Sequence, residues 1–261
     1  MPNKQSLILA IDIGNSAATY GLCSGRQIKR SGYVLSDDIP KISLKIIKSG
    51  ISRHNYKVII SSVVPQITLK LSKSIKRVFG SKVPLHILGK NLKISVSTRY
   101  SQRALGADRL ANVYGALRRY KPPILVIDYG TAITFDYISK RGIFEGGLII
   151  PGLNLSARAL GEHTALLPSL KKLGPVRGLC GRNTKEAINA GVLIGFAALS
   201  DGLVERFQKF CRPRRLTVLA TGGLAKKVAP YVRHFDYVDP MHTIRSLALI
   251  YRNEIEKTNV R

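Results

Sequence analysis

Acidic residues are scarce in this sequence. It has 15 Asp and Glu against 42 Lys and Arg, and its formal net charge is +27. The excess is spread along the chain, because residues 1–120 hold 21 basic and 4 acidic side chains while residues 121–261 hold 21 and 11. A cationic surface can bind nucleic acid by releasing counterions, but no nucleic-acid-binding motif accompanies the charge. Nucleic acid is therefore not the favoured partner.

Cysteine and long apolar segments are scarce as well. The three cysteines (Cys23, Cys180 and Cys211) are widely spaced and form no CxxC pair, which predicts a reducing compartment and no zinc site. The N-terminal apolar run is short and ends in Asp12, so it does not resemble a signal peptide. We also expect no segment long enough to cross a bilayer. These features predict a soluble, cytoplasmic protein without membrane association.

Two common nucleotide-binding motifs are missing. No GxxxxGK[ST] sequence is present, which excludes a P-loop kinase. No GxGxxG sequence opens a helix after the first predicted strand, which excludes a Rossmann dinucleotide site.

The order of predicted elements occurs twice. The first half reads as strands at 7–13, 17–23 and 26–34, a helix from Asp37 or Asp38, a strand at 56–64, a helix at 65–78, a strand at 83–88 and a helix at 107–119. The second half reads as strands at 124–130, 132–139 and 142–150, helices at 152–161 and 184–210, a strand at 216–221, a helix after Gly223, a strand at 235–239 and a last helix. We interpret this as an internal duplication of an α/β domain. Pro122-Pro123 marks the boundary between domains 1–121 and 122–261.

Both halves carry an Asp-x-Gly turn after the first strand, in "DIGNSAATYG" (12–21) and "DYGTAITFD" (128–136). Such a turn presents backbone N–H groups and small polar side chains to a phosphate, while the carboxylate can hold Mg²⁺. One copy alone is better explained as an ordinary hairpin turn. Two copies from duplicated halves favour a nucleotide-binding site.

A third acidic position is Asp108, in "LGADRLANVYGAL" (105–117). It falls in the first turn of a predicted helix, where the helix dipole favours an ionised carboxylate. It is either a simple helix-terminal acid followed by Arg109 as a surface base, or a base that deprotonates a substrate hydroxyl for phosphoryl transfer. In the second case Tyr100 and Arg109 could bind an acidic small substrate.

The doubled turn resembles the ATPase architecture of actin, sugar kinases and heat-shock ATPases. This resemblance implies an α/β fold of two duplicated ribonuclease-H-like domains with mixed sheets, the actin-like ATPase fold, and an interdomain cleft. Further motifs follow in order: "EGGLIIPGL" (145–153), "HTALLP" (163–168), "GRNTKEAINAG" (181–191) and "ATGGLA" (220–225). Together with the two turns and "GADR" they resemble the type III pantothenate kinases, from Ile11 to about Gly223.

Membership of that family implies ATP-dependent phosphorylation of pantothenate to 4'-phosphopantothenate, the first step of coenzyme A biosynthesis, by a homodimer. Asp108 is then the catalytic proton acceptor, and Asp128 binds a monovalent cation, K⁺ or NH₄⁺. Asp12 holds Mg²⁺ through the phosphates. The implied ATP contacts are Asp12, Ile13, Gly14, Asn15, Ser16, Ala17, Ala18, Thr19 and Thr131. The implied pantothenate contacts are Tyr100, Gly106, Ala107, Asp108, Arg109 and Thr184.

Two positions depart from the family pattern. Ser16 stands where Thr is usual and keeps the hydroxyl, whereas Ser246 stands where the last helix commonly has Gly, so packing or dimer contacts there are in question. Two alternatives stay open. One is another small-molecule kinase or a phosphatase on the same scaffold, such as a sugar or acetate kinase, and the other is a non-catalytic, nucleic-acid-associated regulatory protein.

Overall fold

The structure, a computed structural model, describes residues 7–35, 38–39, 56–101, 105–170, 172–212 and 214–256. The chain forms two units. Unit 1 comprises Met1–Val96, Ser101–Arg118 and His242–Arg261, and unit 2 comprises Ser97–Tyr100 and Arg119–Met241. The chain passes from unit 1 to unit 2 after Arg118, close to the proposed domain boundary between residues 121 and 122. The C-terminal segment from His242 onward belongs to unit 1.

The elements follow the predicted order. The strands are β1 (Leu7–Ile13), β2 (Ala17–Ser24), β3 (Gln27–Leu35), β4 (Tyr56–Ser62), β5 (Leu85–Ile87), β6 (Ile124–Tyr129), β7 (Ala132–Ile138), β8 (Phe144–Pro151), β9 (Thr217–Thr221) and β10 (Tyr237–Val238). The helices are α1 (Pro65–Phe79), α2 (Ala107–Arg119), α3 (Leu153–Glu162), α4 (Thr184–Phe210), α5 (Ala225–Val228) and α6 (His242–Ile250), and a π-helical segment follows at Tyr251–Glu256. Of the helix predicted from Asp37 or Asp38, all but residues 38–39 lies outside the described residues.

Both units contain a five-stranded sheet of the same topology. The strand orders are β3-β2-β1-β4-β5 in unit 1 and β8-β7-β6-β9-β10 in unit 2. In each sheet the first three strands form an antiparallel meander, and the last two run parallel to the first. The repeated mixed sheet confirms the predicted duplication and fold class.

Side chains alternate between the two faces of the unit 1 sheet, so the apolar core and the polar residues of the Asp12 turn lie on different faces. Leu9, Ile11 and Ile13 of β1 enter an apolar core together with alternate residues of β4. Because successive side chains point to opposite faces, Asp12 belongs to the other face of the sheet. Helix α6 packs on that face, where a Cβ at Gly21 would come 2.5 Å from Ile244 Cγ2.

Helix α6 packs against α2 through Ser246. This serine is fully buried, and a Cβ at Gly115 of α2 would come within 2.6 Å of the Ser246 Cβ. The Ser246 hydroxyl donates to the His242 carbonyl at 2.7 Å. A glycine on the neighbouring helix therefore accommodates the unusual serine, which lies inside unit 1 and not on an exposed surface.

Helix α4 corrects one expectation. Within the described ranges it is long and apolar enough, at 27 residues, to cross a membrane by length and composition alone, although the sequence had led us to expect no such segment. One side of α4 nevertheless packs into the core of unit 2 through residues such as Ile188, Leu193 and Val204. A core helix shows the same features, so the length of α4 does not by itself indicate a membrane span.

Candidate functional site

The turn between β1 and β2 presents polar atoms at the carboxyl end of β1. The Gly14 N–H donates to the Ala17 carbonyl at 2.9 Å, which closes the turn. Asn15 and Ser16 are exposed at its tip, and Asp12 is half-buried just before it. A carboxylate beside exposed amide and hydroxyl groups fits a phosphate with its Mg²⁺.

The turn between β6 and β7 has the same character in unit 2. The Gly130 N–H donates to the Ala132 carbonyl at 3.1 Å, and Thr131 is exposed. Gly152 donates its N–H to the Thr131 carbonyl at 3.0 Å, and a Cβ at Gly152 would come 2.6 Å from the Gly130 oxygen. The turn therefore lies against the start of α3, where the helix dipole favours an anion.

Asp128 lies between two glycine-containing turns. A Cβ at Gly130 would be 3.9 Å from Asp128 Oδ1. Gly222, with φ of +91°, lies closer still, because a Cβ there would collide with the same oxygen and come 2.7 Å from the Tyr129 backbone. Only glycine at 222 leaves the carboxylate its position, since a side chain would suffer both the collision and the left-handed backbone.

Tyr129 anchors the strand that carries Asp128. Its phenol oxygen and the Ser200 hydroxyl oxygen on α4 are 2.7 Å apart, and both residues are buried. Burial raises the pKa of the Tyr129 phenol well above its ordinary value, so the group stays protonated at neutral pH. The hydrogen bond ties β6 to α4 and holds the Asp128 turn on a rigid scaffold.

Strand register places a hydroxyl residue on each side of both motif aspartates. Residues that pair directly across strands share a face of the sheet. We call the resulting sets hydroxyl–aspartate rows, Thr19–Asp12–Ser61 in unit 1 and Thr134–Asp128–Thr221 in unit 2. The duplication therefore repeats a three-residue polar row as well as a turn.

Ser61 and Thr221 were missed by the sequence reasoning. Each is fully buried, and each has a side-chain oxygen without a hydrogen-bond partner among the described residues. A usable signal was present, because each is a hydroxyl residue at the end of the buried apolar strand that follows the meander.

Asp108 lies in unit 1, in the first turn of α2. Its Oδ1 accepts from the Arg109 N–H at 2.8 Å, and a Cβ at Gly106 would come 2.5 Å from this oxygen. The same Cβ would be 3.9 Å from Val63, whose N–H donates to the Ile13 carbonyl at 3.1 Å. The carboxylate therefore lies near the end of the sheet that carries the Asp12 turn.

Arg109 is not the surface base that one interpretation made of it. Its exposed fraction is only 7 %. A buried guanidinium in the turn that holds Asp108 is a component of the site's local structure, because burial of a cation requires compensating interactions.

Two of the predicted pantothenate contacts lie in unit 2. Tyr100 is 36 % exposed, and its ring centroid is 5.9 Å from that of Phe144. Thr184 is exposed as the first residue of α4. The cap of α4 is Asn183, whose side chain accepts from the Glu186 N–H at 3.0 Å, so Thr184 is not needed for capping.

A duplicated mixed sheet with an Asp-x-Gly turn in each copy defines a protein of the actin-like ATPase fold, the fold of sugar kinases and related phosphotransferases. The family model of the type III pantothenate kinases matches residues 8–206. The chain belongs to the type III pantothenate kinase family. The predicted family and the predicted enzyme class, an ATP-dependent kinase, are therefore confirmed.

Individual relatives agree over nearly the whole chain. A type III pantothenate kinase of Caulobacter vibrioides is 37 % identical over 256 residues, which cover 94 % of this chain and 97 % of that protein. One of Moorella thermoacetica is 35 % identical over 254 residues, which cover 94 % of this chain and 98 % of that protein.

Solved structures support the fold. A conserved protein of Campylobacter jejuni, described as a Baf family transcriptional activator, has a TM-score of 0.56 at 20 % identity and covers 97 % of this chain and 100 % of its own. The ethanolamine utilization protein EutJ of Carboxydothermus hydrogenoformans has a TM-score of 0.55 at 12 % identity, with coverages of 95 % and 91 %. At these identities the likeness concerns the fold alone.

Proposed function

We propose that this chain transfers the γ-phosphoryl group of ATP to the primary hydroxyl of pantothenate in the cytoplasm, which gives 4'-phosphopantothenate for coenzyme A biosynthesis. Family membership names the reaction. The structural observation that supports this reaction is the position of Asp108, which lies near the end of the sheet that carries Asp12.

Asp108 is the proton acceptor in this proposal. The pantothenate hydroxyl gives its proton to the Asp108 carboxylate as its oxygen bonds to the γ-phosphorus, and the bond from that phosphorus to the β,γ-bridging oxygen breaks to release ADP. The Arg109 N–H donates to one carboxylate oxygen at 2.8 Å. In this proposal the other oxygen accepts the substrate proton. A base positioned in this way contributes about 10²- to 10⁴-fold to the rate.

The β1–β2 turn holds the phosphates with Mg²⁺. Asp12 is half-buried beside exposed Asn15 and Ser16, a set of oxygen and N–H groups that fits a hydrated magnesium ion on a polyphosphate. The metal supplies neutralisation of phosphate charge when bound. Asp12 orients it, and the Gly14 to Thr19 segment positions the nucleotide.

Unit 2 contains the proposed cation ligand and further proposed contacts to ATP and pantothenate. Asp128, set between the glycine turns, binds the monovalent cation, K⁺ or NH₄⁺, and Thr131 contacts ATP beside the start of α3. Tyr100 and Thr184 are accessible on unit 2 and are proposed pantothenate contacts. The Gly106 to Arg109 segment supplies the proposed contacts of unit 1.

A homodimer is supported by apolar surface on unit 2. β8 is the edge strand of its sheet, and Leu148 and Ile149 are 40 % and 59 % exposed. On α4, Gly191 and Gly195 have no neighbour among the described residues within 4 Å of an added Cβ, and Leu199 is 39 % exposed. A long helix with glycines on its exposed side permits close approach of a second copy.

The deciding experiment is a coupled assay of the purified chain with ATP, Mg²⁺ and pantothenate, in K⁺ and separately in Na⁺. We expect ADP release to require pantothenate and to be faster in K⁺, with the phosphorylated product identified by mass. Phosphorylation of a sugar or acetate in place of pantothenate would overturn the substrate. Salt-sensitive DNA binding without ATP turnover would overturn the enzyme and favour a regulatory protein.

A further inference from the structure

The two hydroxyl–aspartate rows contain the same unusual feature. The Ser61 and Thr221 hydroxyl oxygens are buried without a hydrogen-bond partner, and the part of the chain that the structure describes has one other such side-chain atom, the Tyr56 hydroxyl. An unsatisfied buried hydroxyl destabilises the folded protein. Its occurrence at the equivalent position of both duplicated sheets points to a function.

The strand register shows which charged residue lies beside each of the two hydroxyl residues. Ser61 pairs with Asp12 on the adjacent parallel strand, and Thr221 pairs with Asp128 in the same way. In both pairs the aspartate is partly exposed, whereas the hydroxyl residue is 0 % exposed. A ligand can therefore touch the aspartate but cannot touch the hydroxyl oxygen without movement of the side chain. The hydroxyl must act through the carboxylate.

A carboxylate can accept such a hydrogen bond while it binds a cation. Its two oxygens offer about four acceptor positions, so one hydroxyl leaves the others free for a ligand. Hydrogen bonds to the groups that bind a metal fix their orientation and typically change affinity by 10- to 100-fold. Gly222 already fixes the Asp128 carboxylate from one side, because no side chain fits there.

We propose that Thr221 and Ser61 are positioning residues, each of which donates its hydroxyl hydrogen to the neighbouring motif aspartate when that aspartate binds its cation. Thr221 orients Asp128 toward the monovalent cation, and Ser61 orients Asp12 toward Mg²⁺ on ATP. The inference rests on the proposed function, which supplies the two cations.

The principal test compares Thr221→Val, Thr221→Ser and a control, Thr217→Val. Valine has the shape of threonine without its hydroxyl, and serine keeps the hydroxyl. Thr217 lies in the same strand, but its hydroxyl donates to the Lys121 carbonyl at 3.0 Å and not toward Asp128. Two quantities are measured in K⁺ titrations: the thermal stabilisation of the ATP-bound protein and the rate of pantothenate phosphorylation.

We expect Thr221→Val to require about 10- to 100-fold more K⁺ for the half-maximal effect in both measurements. Its melting temperature without K⁺ should equal or exceed that of the wild type, because the substitution removes an unsatisfied donor. Thr221→Ser and Thr217→Val should respond to K⁺ as the wild type does. A purely structural role for Thr221 would leave the K⁺ requirement unchanged.

Ser61→Ala provides a second test that does not depend on Thr221. We expect a rise in the Mg²⁺ concentration needed for ATP binding, measured by calorimetry, while Ser72→Ala on α1 leaves it unchanged. A wild-type response to both cations that persists in Thr221→Val and Ser61→Ala would overturn the positioning role and leave the proposed function intact. A wild-type protein that phosphorylates pantothenate without any K⁺ response would overturn the Asp128 site, and the role of Thr221 with it.

Discussion

Gly222 lies directly against the carboxylate of Asp128, which belongs to a strand formed far earlier in the chain. We expect Gly222→Ala to lower the free energy of unfolding by about 1–3 kcal/mol, because alanine at φ of +91° is strained and its Cβ would also displace the carboxylate. The K⁺ requirement should rise as well. Gly223→Ala is the matched control, since a Cβ there would meet no atom of the described residues within 4 Å. Denaturant titration and the K⁺ assay check both variants, and equal behaviour would contradict this account.

Asp108→Asn should remove most of the turnover. The amide cannot accept the substrate proton, so kcat should fall by about 10²- to 10⁴-fold while the melting temperature and ATP affinity are retained. Glu162→Gln, a change at an exposed carboxylate of α3, should leave kcat unchanged. A wild-type kcat in Asp108→Asn would show that another group accepts the proton.

The Gly106→Ala variant keeps the Asp108 carboxylate but displaces it, so it tests whether the position of this group matters. The new Cβ would come 2.5 Å from Asp108 Oδ1, which is the mobile end of a side chain and can move away. We therefore expect a small change in stability and at least about a tenfold fall in kcat. Unchanged kcat in a well-folded variant would mean that the carboxylate needs no fixed position.

Gly115 and Ser246 should show strong energetic coupling. Gly115→Ala places a Cβ within 2.6 Å of the Ser246 Cβ and should cost about 1–3 kcal/mol by overpacking. Ser246→Gly in the same chain should restore most of that loss. The cycle is measured by denaturant unfolding, and additive effects would show that the two helices do not pack here.

His86 should make stability fall in mild acid. Burial lowers the pKa of His86 from its ordinary value of 6.5, and its ring packs edge-on against Tyr251 with centroids 5.3 Å apart. A folded-state pKa below the unfolded one favours folding with the neutral ring, so this stability is present above pH 6.5 and is lost as the pH falls below it. When the pH is lowered from 7.5 to 5.5, the melting temperature of His86→Gln should fall by less than that of the wild type. His163→Gln, at an exposed position, should match the wild type, and an equal loss in all three would contradict the role of His86.

Ile149→Asp should convert the proposed dimer to a monomer. A charge on the exposed edge of β8 would be desolvated on association, which disfavours the contact. Leu69→Asp is a control at a 54 % exposed apolar residue of unit 1. Light scattering measures the mass, and a dimer that persists in Ile149→Asp would place the interface elsewhere.

Local patterns predicted most of the fold. Apolar runs and turn residues gave the bounds of most elements within one or two residues, and α4 begins and ends as predicted, at Thr184 and Phe210. The recurrence of Asp-x-Gly after the first strand of each half indicated the duplication. These features are accessible from sequence because they depend on neighbours along the chain, such as the Asn183 cap and the glycine turns.

Contacts between distant segments were decided by the tertiary structure. Sequence alone placed Arg109 on the surface in one interpretation, left Ser246 without a packing partner, and did not connect Ser61 with Asp12 or Thr221 with Asp128. Each of these relationships depends on how separate strands and helices align, and strand register changes which side chains share a face. The sequence by itself therefore determined the two Asp-x-Gly turns and the family, whereas the side chains around each aspartate were determined by the pairing of β1 with β4 and of β6 with β9.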